Sequence, residues 1–529
     1  MRRLMTAILF VITLFVAIRC GLRARDWNDQ LGLVSPYAQV EPIVTDPHTP
    51  RLTDRVVLIT IDGLGIDESH LPFLDELRAR GIAAIAAVPY PTISRPNYVT
   101  ILSGVPPEDS GVRANRVRIP VAVDSVMDRV QAAHLRVATT GDFGMMPSLF
   151  ARHTRSLSDI GWIAQGTRIT PPAPITWPVD EARRAPSLAA LAPIIADFAA
   201  RDFAFVPVLV LDVDRAGHAE GVGETYRATA IAVDRMLRAA LAAVDLSTTT
   251  VIVTADHGHV APGGHGGTER EVAHVPLILV GKGVVAGAQL EDPRLIDVAP
   301  TVAALLGLPA PGHAEGRALV EALSLTPEER ERRTAIDATR VAELATVIAE
   351  AHAVERPVAL HLMYVLVLLI VFVVMTRAST HAFVIDRRAP VAWIAFGVML
   401  VAIGAVTRWQ FSPSYVPSLA LTLKLCAIGI AIAVALQVTA SWFVIRRAPD
   451  RLLAANGLAA AGLAGSLTVL YLVRTWFHMP FVIVPSPFWI VAVPTIELAT
   501  AACAIACAIT LVGGAVISSR TGSPPARSP

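Results

Sequence analysis

The sequence predicts an α/β domain with a mainly parallel central sheet and helices on both faces, combined with an N-terminal anchor and a C-terminal all-α membrane domain. Three observations lead to this fold class. Apolar, β-branched runs alternate with helix-like runs from about residue 55 to residue 323. Three of those runs end at or just before an acidic residue. Long stretches almost free of charge follow residue 357.

The strand-like runs at residues 56–61, 208–211 and 251–254 have the composition of buried parallel strands. Helix-like runs such as 71–80 and 225–244 lie between them in sequence. Because parallel strands place their carboxyl ends at one edge of a sheet, the polar residues that follow the runs are expected to meet there. This edge is therefore the expected position of the chemistry.

Apolar segments long enough to cross a bilayer need roughly 20 residues. Five stretches in the last third of the chain approach that length, at 358–376, 390–406, 419–445, 452–473 and 490–517. An additional apolar run at 4–18 follows Arg2 and Arg3, and it suits either an uncleaved anchor or a cleaved signal peptide. Its flanks favour the anchor, because no small-residue cleavage site follows before Arg23.

Basic residues of the C-terminal loops indicate the orientation of these segments. Two of them, Arg408 and Arg474, lie on one side. The opposite side carries eight, namely Arg377, Arg387, Arg388, Arg446, Arg447, Arg451, Arg520 and Arg527. The richer side is expected to be cytoplasmic, which places residues 20–357 outside. The protein is thus predicted to lie in the cytoplasmic (inner) membrane, with its catalytic domain extracytoplasmic.

Charge and cysteine content exclude several classes of site. The net charge of +1 and the isoelectric point near 7.8 provide no basic field, so nucleic acid is not an expected partner. No cysteine lies between residues 21 and 425, which rules out a disulfide, a cysteine nucleophile and a thiolate metal site in that region. The sequence gives no indication of the oligomeric state.

Composition divides the chain into six parts. They are an N-terminal anchor or signal (1–19), a proline-punctuated linker (20–54), the α/β domain (55–323), a stem helix (324–357), a membrane domain of about five helices (358–518) and a disordered tail (519–529). Within the α/β domain, residues 142–186 are irregular and rich in Pro, Thr and Trp. We interpret them as an insertion over the site.

Six acidic and histidine residues stand in short polar contexts of the α/β domain. They are Asp62, Asp214, His218, Asp256, His257 and His265. Mixed Asp and His side chains suit borderline divalent cations, and six exceed what one tetrahedral ion needs. Two further residues are alternative candidates. Asp212 is more strand-like in register and is expected to be buried behind the site, and His259 suits a metal-ligand, a supporting or a solvent-exposed position.

The segment PTISRPNYVTILSG offers the hydroxyl nucleophile that a two-metal phosphoester site requires. Thr92 and Ser94 lie in a loop stiffened by prolines that runs into a helix expected at residues 97–102. A hydroxyl at a helix N-terminus lies near unpaired backbone N–H groups that also suit a phosphate, although the same pattern is typical of a plain helix cap. Metal coordination would activate a serine there.

These motifs in this order resemble the alkaline phosphatase superfamily, in particular its type I phosphodiesterase and nucleotide pyrophosphatase branch. The resemblance rests on Asp62 after a strand, SRPN, D-x-x-x-H, ADHG, GHGG and IDVAPTVAALLGLP, and covers roughly residues 55–320. SRPN, the anchor and the multi-span C-terminus also resemble the GPI ethanolamine-phosphate transferases. Asn97-Tyr98 stand where those transferases have Gly-His.

The resemblance implies the roles of individual residues. One metal would be held by Asp62, Asp256, His257 and the Ser94 oxygen, and the other by Asp214, His218 and His265. Ser94 would be the nucleophile, and Asn97 would hydrogen-bond a phosphoryl oxygen. The expected cofactors are two divalent ions, zinc in preference to Mn²⁺ or Mg²⁺.

Three functions are compatible with these motifs and membrane segments. The first is a membrane-anchored phosphotransferase that acts through a phosphoserine on a phosphoester or phospholipid, with phosphoethanolamine and a glycan or lipid acceptor implied by the resemblance alone. The second is a hydrolase of phosphodiesters or nucleotides. The third is a non-catalytic membrane binding or transport protein. The C/S-x-P-x-R signature of sulfatases is missing from the α/β domain at 55–323, which argues against sulfate esters.

Overall fold

A computed structural model of the chain describes residues 2–25, 35–115, 121–140, 149–150, 154–158, 161–164, 179–180, 185–186, 188–352, 362–363, 366, 384–385, 387–410, 412–416, 419–477 and 487–520. The chain forms two compact units. One comprises Asn28–Ala353, and the other combines Met1–Trp27 with Val354–Pro529. Each unit has its own hydrophobic core.

An eight-stranded sheet forms the centre of the larger unit, in the order β2-β10-β9-β1-β8-β3-β5-β4. Its strands are β1 (Arg55–Ile61), β2 (Ile82–Ala87), β3 (Ala138–Thr140), β4 (Thr154–Ser158), β5 (Gly161–Ala164), β8 (Phe205–Val210), β9 (Thr249–Thr254) and β10 (His274–Gly281). A separate two-stranded ribbon pairs β6 (Val179–Asp180) with β7 (Ala185–Pro186). The central β1, β8 and β9 are buried along their length, apart from partly buried Arg55.

The predicted fold class is confirmed, and the structure adds detail at the sheet edges. The four central strands β3, β8, β1 and β9 are parallel, as expected. Strands β2 and β10 at one edge, and β4 and β5 at the other, are antiparallel to their neighbours. Strand β10 follows β9 without a long crossover helix, and a parallel return would require one.

Helices cover the sheet. Those of the larger unit are α2 (Pro72–Arg80), α3 (Ser94–Ser103), α4 (Pro107–Ser110), α5 (Val126–Ala132), α6 (Leu188–Ala200), α7 (Asp212–Glu220), α8 (Glu224–Leu241), α9 (Arg270–Ala273), α10 (Val298–Leu305) and α11 (Pro327–His352). Helix α8 illustrates how the apolar face of a helix is buried in the larger unit. It buries Tyr226, Ala230, Val233 and Leu237, at the three- to four-residue spacing of one helix face.

The helix predicted as a stem is α11, and its first half packs on the domain. Arg333 is buried and donates a hydrogen bond to the Leu308 carbonyl. Arg340, also buried, donates to the Ala314 carbonyl and pairs with Asp337 at 2.6 Å. Because buried guanidinium groups need such partners, these contacts fix the helix against specific loops.

The proline-rich segment after residue 34 also docks on the larger unit. The Tyr37 side chain is buried, stacks on His313 with 5.0 Å between ring centroids, and donates from its hydroxyl to Glu315 Oε1 at 2.9 Å. Burial raises the pKa of Glu315 to about 9, and repulsion from Asp109 adds to that rise. The folded domain therefore favours the neutral carboxyl group.

This raised pKa predicts a pH-dependent stability. The folded chain holds the Glu315 proton up to a higher pH than the unfolded chain, so its contribution is complete below about pH 4.3 and is lost as the pH rises towards 9. Glu315→Gln keeps the oxygen that accepts from Tyr37 and cannot ionise. We expect this variant to unfold a few degrees above the wild type at pH 9, where about 1 kcal/mol corresponds to 2–4 °C, and at the wild-type temperature near pH 4.5.

The measurement is thermal unfolding of the full-length protein in detergent, followed by tryptophan fluorescence across this pH range. Glu328→Gln, a replacement of an exposed glutamate at the start of α11, is the control. An equal difference between Glu315→Gln and wild type at every pH would contradict the assignment.

The smaller unit contains helices α1 (Arg2–Arg25), α12 (Ile394–Val406), α13 (Leu419–Arg446), α14 (Arg451–Phe477) and α15 (Pro487–Arg520). Among the described residues, five helices are long and apolar enough to cross a membrane, α12 being counted from Ala389. They match the predicted N-terminal segment and four of the five C-terminal stretches. The stretch at 358–376, the tail after residue 520 and most of the 142–186 insertion lie outside the described residues, apart from short pieces including β4–β7.

Helix α1 packs into this bundle instead of standing apart. Its Leu9 and Val16 are buried in a cluster with Ala459 and Leu463 of α14. The Thr6 hydroxyl donates to Asn456 Oδ1 at 2.8 Å, and both side chains are buried. A buried polar pair inside an apolar bundle specifies one arrangement of the helices.

Candidate active site

The seven residues predicted to carry the chemistry meet at the carboxyl ends of three central strands. Asp62 follows β1, and Asp256 and His257 follow β9. After β8 the chain enters α7, which carries Asp214 and His218, and His265 lies in the loop between β9 and β10. Ser94 is the first residue of α3.

His257 is the centre of the first cluster. Its Nε2 lies 3.4 Å from Asp62 Oδ1, 3.3 Å from Asp256 Oδ2 and 3.2 Å from Ser94 Oγ. The other ring nitrogen, Nδ1, lies 3.1 Å from the Gly258 carbonyl oxygen, which can only accept. Nδ1 therefore carries the proton, and Nε2 presents its lone pair to the cluster.

In each of the two carboxylates of this cluster, one oxygen accepts a hydrogen bond and the other does not. Tyr98 donates from its hydroxyl to Asp62 Oδ2, and the Gly63 N–H donates to Asp256 Oδ1 at 3.1 Å. The other oxygens, Asp62 Oδ1 and Asp256 Oδ2, are buried and have no hydrogen-bond partner in the described part of the chain. Two such oxygens beside an imidazole lone pair form a ligand set that fits a divalent cation.

The electrostatics of the cluster also suit a bound cation. Burial raises the pKa of Asp62 well above its ordinary value, and repulsion from Asp256 and Asp214 raises it further. Burial, together with Asp214, raises the pKa of Asp256 to about 7. The pKa of His257 is lowered well below its usual range, first by burial and then by His265. A bound cation would reverse this balance by favouring the ionised carboxylates.

Asp214 is the centre of the second cluster. Its Oδ1 lies 3.0 Å from His259 Nε2, 3.4 Å from His218 Nε2 and 3.7 Å from His265 Nε2. Burial alone would raise the pKa of Asp214, but the His259 hydrogen bond and the potentials of the other imidazoles lower it overall. This carboxylate is therefore ionised when the first pair is not.

His265 faces His218 with 3.0 Å between their Nε2 atoms. Its Nδ1 lies 2.8 Å from the Thr92 carbonyl oxygen, so that Nδ1 carries the proton and Nε2 is an acceptor. Burial lowers the pKa of His265 to about 4. Two facing imidazole nitrogens at this distance share either a proton or a cation, and with Asp214 they supply a second mixed Asp and His ligand set.

The structure defines the surroundings of His259. Of the metal-ligand, supporting and solvent-exposed positions that the sequence allows, solvent exposure is wrong, because His259 is buried and its Nε2 lies at hydrogen-bond distance from Asp214. Its ring fits between two glycines. A Cβ on Gly217 would lie within 2.9 Å of three ring atoms, and a Cβ on Gly63, whose φ is +75°, would lie 2.8 Å from Nε2. The Asp-His-x-His spacing was the available signal.

This fit predicts the effect of Gly217→Ala. Alanine stabilises a helix by about 1 kcal/mol relative to glycine, so α7 itself should tolerate the change. The new methyl group would displace the His259 ring from Asp214, and we expect metal affinity at the second cluster to fall about 10-fold to 100-fold, the usual cost of losing a supporting contact.

Competition with a zinc chelator measures that affinity. Gly223→Ala is the matched control, since a Cβ at Gly223 would meet no atom within 4 Å. Equal zinc affinities of Gly217→Ala and the wild type would show that His259 does not support this cluster.

Thr92 and Ser94, the two candidate nucleophiles, differ in their surroundings. The Thr92 hydroxyl accepts from the Gly266 N–H and donates to the Gly267 carbonyl, so it holds the loop that carries His265. The Ser94 hydroxyl points at His257 instead. This difference favours Ser94 as the reacting group.

The structure adds three details to the sequence-based predictions. The first turn of α3 offers fewer N–H groups than expected, because Arg95 N–H donates to Asn115, Pro96 has none and Asn97 N–H donates to Ile93. The Asn97 side-chain amide donates to the Pro91 carbonyl, and its contact with a phosphoryl oxygen stays a prediction.

The third detail concerns Asp212, which we expected to continue a strand. It is instead the first residue of α7. Helical geometry, and not a turn, brings Asp214 and His218 to one face, because residues four apart are neighbours on a helix surface.

Comparison with known proteins shows that this region is similar to a known family. Residues 56–263 match the sequence model of the family described as type I phosphodiesterase / nucleotide pyrophosphatase. The matched segment contains Asp62, Ser94, Asp214, Asp256 and His257 and ends just before His265.

Curated relatives with local similarity are 2,3-bisphosphoglycerate-independent phosphoglycerate mutases. The enzyme of Cereibacter sphaeroides is 45% identical over 97 residues, which are 17% of this chain and 18% of that protein. The enzyme of Synechococcus elongatus is 35% identical over 153 residues, which are 26% and 28%. The chain thus spans less than a third of the length of these relatives.

Solved structures with a similar fold include the alkaline phosphatase PafA, with 12% identity, a TM-score of 0.40 and coverage of 52% of this chain and 99% of that one. Another is BT1596, described as a 2-O GAG sulfatase, with 16% identity, a TM-score of 0.38 and coverage of 53% and 74%. Residues 56–263, which are less than half of the chain, are thus similar to the type I phosphodiesterase / nucleotide pyrophosphatase family.

Proposed function

We propose that this protein is a membrane-anchored, metal-dependent enzyme that transfers a phosphoryl group from a phosphodiester through a covalent ester on Ser94. The observation that carries the proposal is the position of Ser94 Oγ, 3.2 Å from His257 Nε2 and beside two buried carboxylates with unpartnered oxygens. A hydroxyl in such surroundings is in place to act as a nucleophile when a cation is bound.

The residues that would hold the cations are those of the two clusters. Asp62, Asp256, His257 and Ser94 Oγ would form one site, and Asp214, His218 and His265 the other, with His259 supporting Asp214. Bound divalent ions, zinc being the best match to these ligands, would lower the pKa of the serine hydroxyl and stabilise charge on the phosphoryl oxygens.

The reaction then takes two displacements. The Ser94 hydroxyl loses its proton as its oxygen forms a bond to phosphorus. The bond from phosphorus to the leaving group breaks, and the departing oxygen takes up a proton from solvent to give the alcohol. A second alcohol, or water, attacks the serine ester, and the Ser94 oxygen leaves. The partial exposure of His218 indicates the side from which substrate reaches the second cluster, since the first cluster is fully enclosed.

The membrane helices and the resemblance to GPI ethanolamine-phosphate transferases support a phospholipid as the donor, phosphatidylethanolamine, and a glycan or lipid as the acceptor. An enzyme that takes a lipid substrate benefits from a fixed position at the bilayer, because binding then occurs in two dimensions and at high local concentration. The family match alone equally supports a phosphodiester or nucleotide hydrolase.

We also propose that the catalytic domain lies outside the cytoplasmic membrane. Arg2 forms an ion pair with Asp450, which lies between α13 and α14, so the N-terminus and the basic loop at 446–451 lie at the same end of the bundle. The N-terminus and this loop both contain arginines, which are expected on the cytoplasmic side of the membrane. Reporter fusions at residues 330 and 382 should give opposite signals, and matching signals would refute this topology.

Membranes from cells with and without the gene test the substrate proposal. Mass spectrometry of their lipids and glycans should show a phosphoethanolamine group on an acceptor when the wild-type gene is present. The Ser94→Ala gene should not restore it. Release of free phosphoethanolamine or nucleotide products, with no modified acceptor, would support the hydrolase instead. No change in any phosphoester would support a non-catalytic role.

A further inference from the structure

Tyr98 connects the nucleophile helix to the first metal cluster. It lies on α3, its side chain is 3% exposed, and its hydroxyl donates to Asp62 Oδ2. The ring packs with Leu209 and Leu211 at the end of β8. These apolar contacts restrict the orientation of the Tyr98 ring, so that its hydroxyl points at the Asp62 carboxylate.

Ser94 and Tyr98 are four residues apart on α3 and therefore share one helix face. This helix face contacts two residues of the first cluster. Ser94 Oγ lies 3.2 Å from His257 Nε2, and the Tyr98 hydroxyl donates to Asp62. The position of the nucleophile and the position of the carboxylate are thus set by the same rigid element.

Because of this hydrogen bond, the two carboxylate oxygens of Asp62 have different surroundings. Oδ2 accepts from Tyr98, whereas Oδ1 is buried, lies 3.4 Å from His257 Nε2 and has no hydrogen-bond partner among the residues that the structure describes. A carboxylate held in this way has one oxygen, with a fixed direction, left for a cation.

We propose that Tyr98 is a positioning residue that makes Asp62 a one-oxygen metal ligand and holds the cation at a fixed distance from Ser94. This inference rests on the proposed function of the site. Tyr98 acts through Asp62 and does not touch the reacting phosphorus. Without its hydroxyl, Asp62 would be free to rotate and to offer both oxygens.

The test is Tyr98→Phe in the full-length protein, which removes the hydroxyl and keeps the ring. We expect the affinity for zinc, measured by chelator competition, to fall about 10-fold to 100-fold. With the sites saturated by metal, kcat for a chromogenic diester should fall while KM stays near the wild-type value, because the nucleophile loses its alignment. The visible absorption spectrum of the cobalt-loaded protein should change, since it reports the ligand geometry.

Tyr90→Phe is the matched control. The Tyr90 hydroxyl is buried and makes no hydrogen bond within the described part of the chain, so its removal deletes the same atom without deleting a contact to a ligand. Its zinc affinity and cobalt spectrum should equal those of the wild type. A double-mutant cycle provides a second measurement: in an Asp62→Asn background, Tyr98→Phe should cause no further loss of metal affinity.

Tyr98→Phe with wild-type zinc affinity and cobalt spectrum would overturn the inference, even if its thermal stability fell, because the contact would then be merely structural. Additive losses in the cycle would do the same. Failure of the proposed function looks different: the wild type itself would bind no metal or would not act on the diester.

Discussion

Replacing Ser94 by alanine should lower kcat/KM for a chromogenic phosphodiester by at least about 10³-fold, since a nucleophile and its activating groups act as a unit. The expectation follows from the geometry. Ser94 Oγ is the hydroxyl 3.2 Å from His257 Nε2, in a pocket lined by Asp62 and Asp256. Alanine removes the oxygen that would form the bond to phosphorus and leaves the rest of the pocket unchanged.

Thr92 provides the matched comparison, because its hydroxyl lies two residues away and is engaged with Gly266 and Gly267. Thr92→Ser keeps both hydrogen bonds and should retain most of the activity. Thr92→Ala should loosen the loop that carries His265 and cause a smaller loss than Ser94→Ala. Near-normal turnover of Ser94→Ala together with an inactive Thr92→Ala would show that Thr92, and not Ser94, is the nucleophile.

Removal of metal should have the second large effect. The full-length protein should contain two divalent ions per chain, and a strong chelator should abolish turnover until zinc is restored. The reason is that the buried Asp62 and Asp256 and the partly buried Asp214 lie close together, and the bound cations would neutralise their charge. Elemental analysis of the purified protein gives the stoichiometry. A metal content near zero with chelator-resistant turnover would exclude this mechanism.

Asp256→Asn tests the metal requirement of the first cluster separately. The amide oxygen can still accept from the Gly63 N–H, but the negative charge is lost, and the metal held with Asp62 and His257 should be lost with it. We expect a decrease in kcat/KM of at least about 10³-fold, comparable to loss of a catalytic residue. Asp67→Asn, at an exposed carboxylate that pairs with Arg270, should leave the metal content unchanged.

The sequence was sufficient to predict the elements that carry the site. Runs rich in Val and Ile became β1, β8 and β9, each followed by the expected acidic residue, because strands buried on both faces leave a strong compositional signal. The helix expected at 97–102 corresponds to α3, which begins earlier, at Ser94, and the run expected at 225–244 corresponds to the amphipathic α8, since the signals of both helices are local.

Contacts between distant segments could not be predicted in this way. Asp62 meets Tyr98 across 36 positions, and His259 meets Asp214 across 45, and neither contact has a periodicity in the sequence. Nor did spacing alone place Asp212 at the start of a helix, because the boundary between a strand and the following helix has a weak local signal. The antiparallel edge strands likewise depend on connections and not on composition.

Covalent trapping on Ser94 tests the central claim most directly. The full-length protein is mixed with a phosphodiester donor, quenched with acid within one turnover and digested, and the peptide that contains Thr92 and Ser94 is sequenced by tandem mass spectrometry. We predict a phosphoryl ester on Ser94 that disappears when an acceptor alcohol is added before the quench. Turnover without any adduct on this peptide, or an adduct on Thr92, would contradict the proposed mechanism.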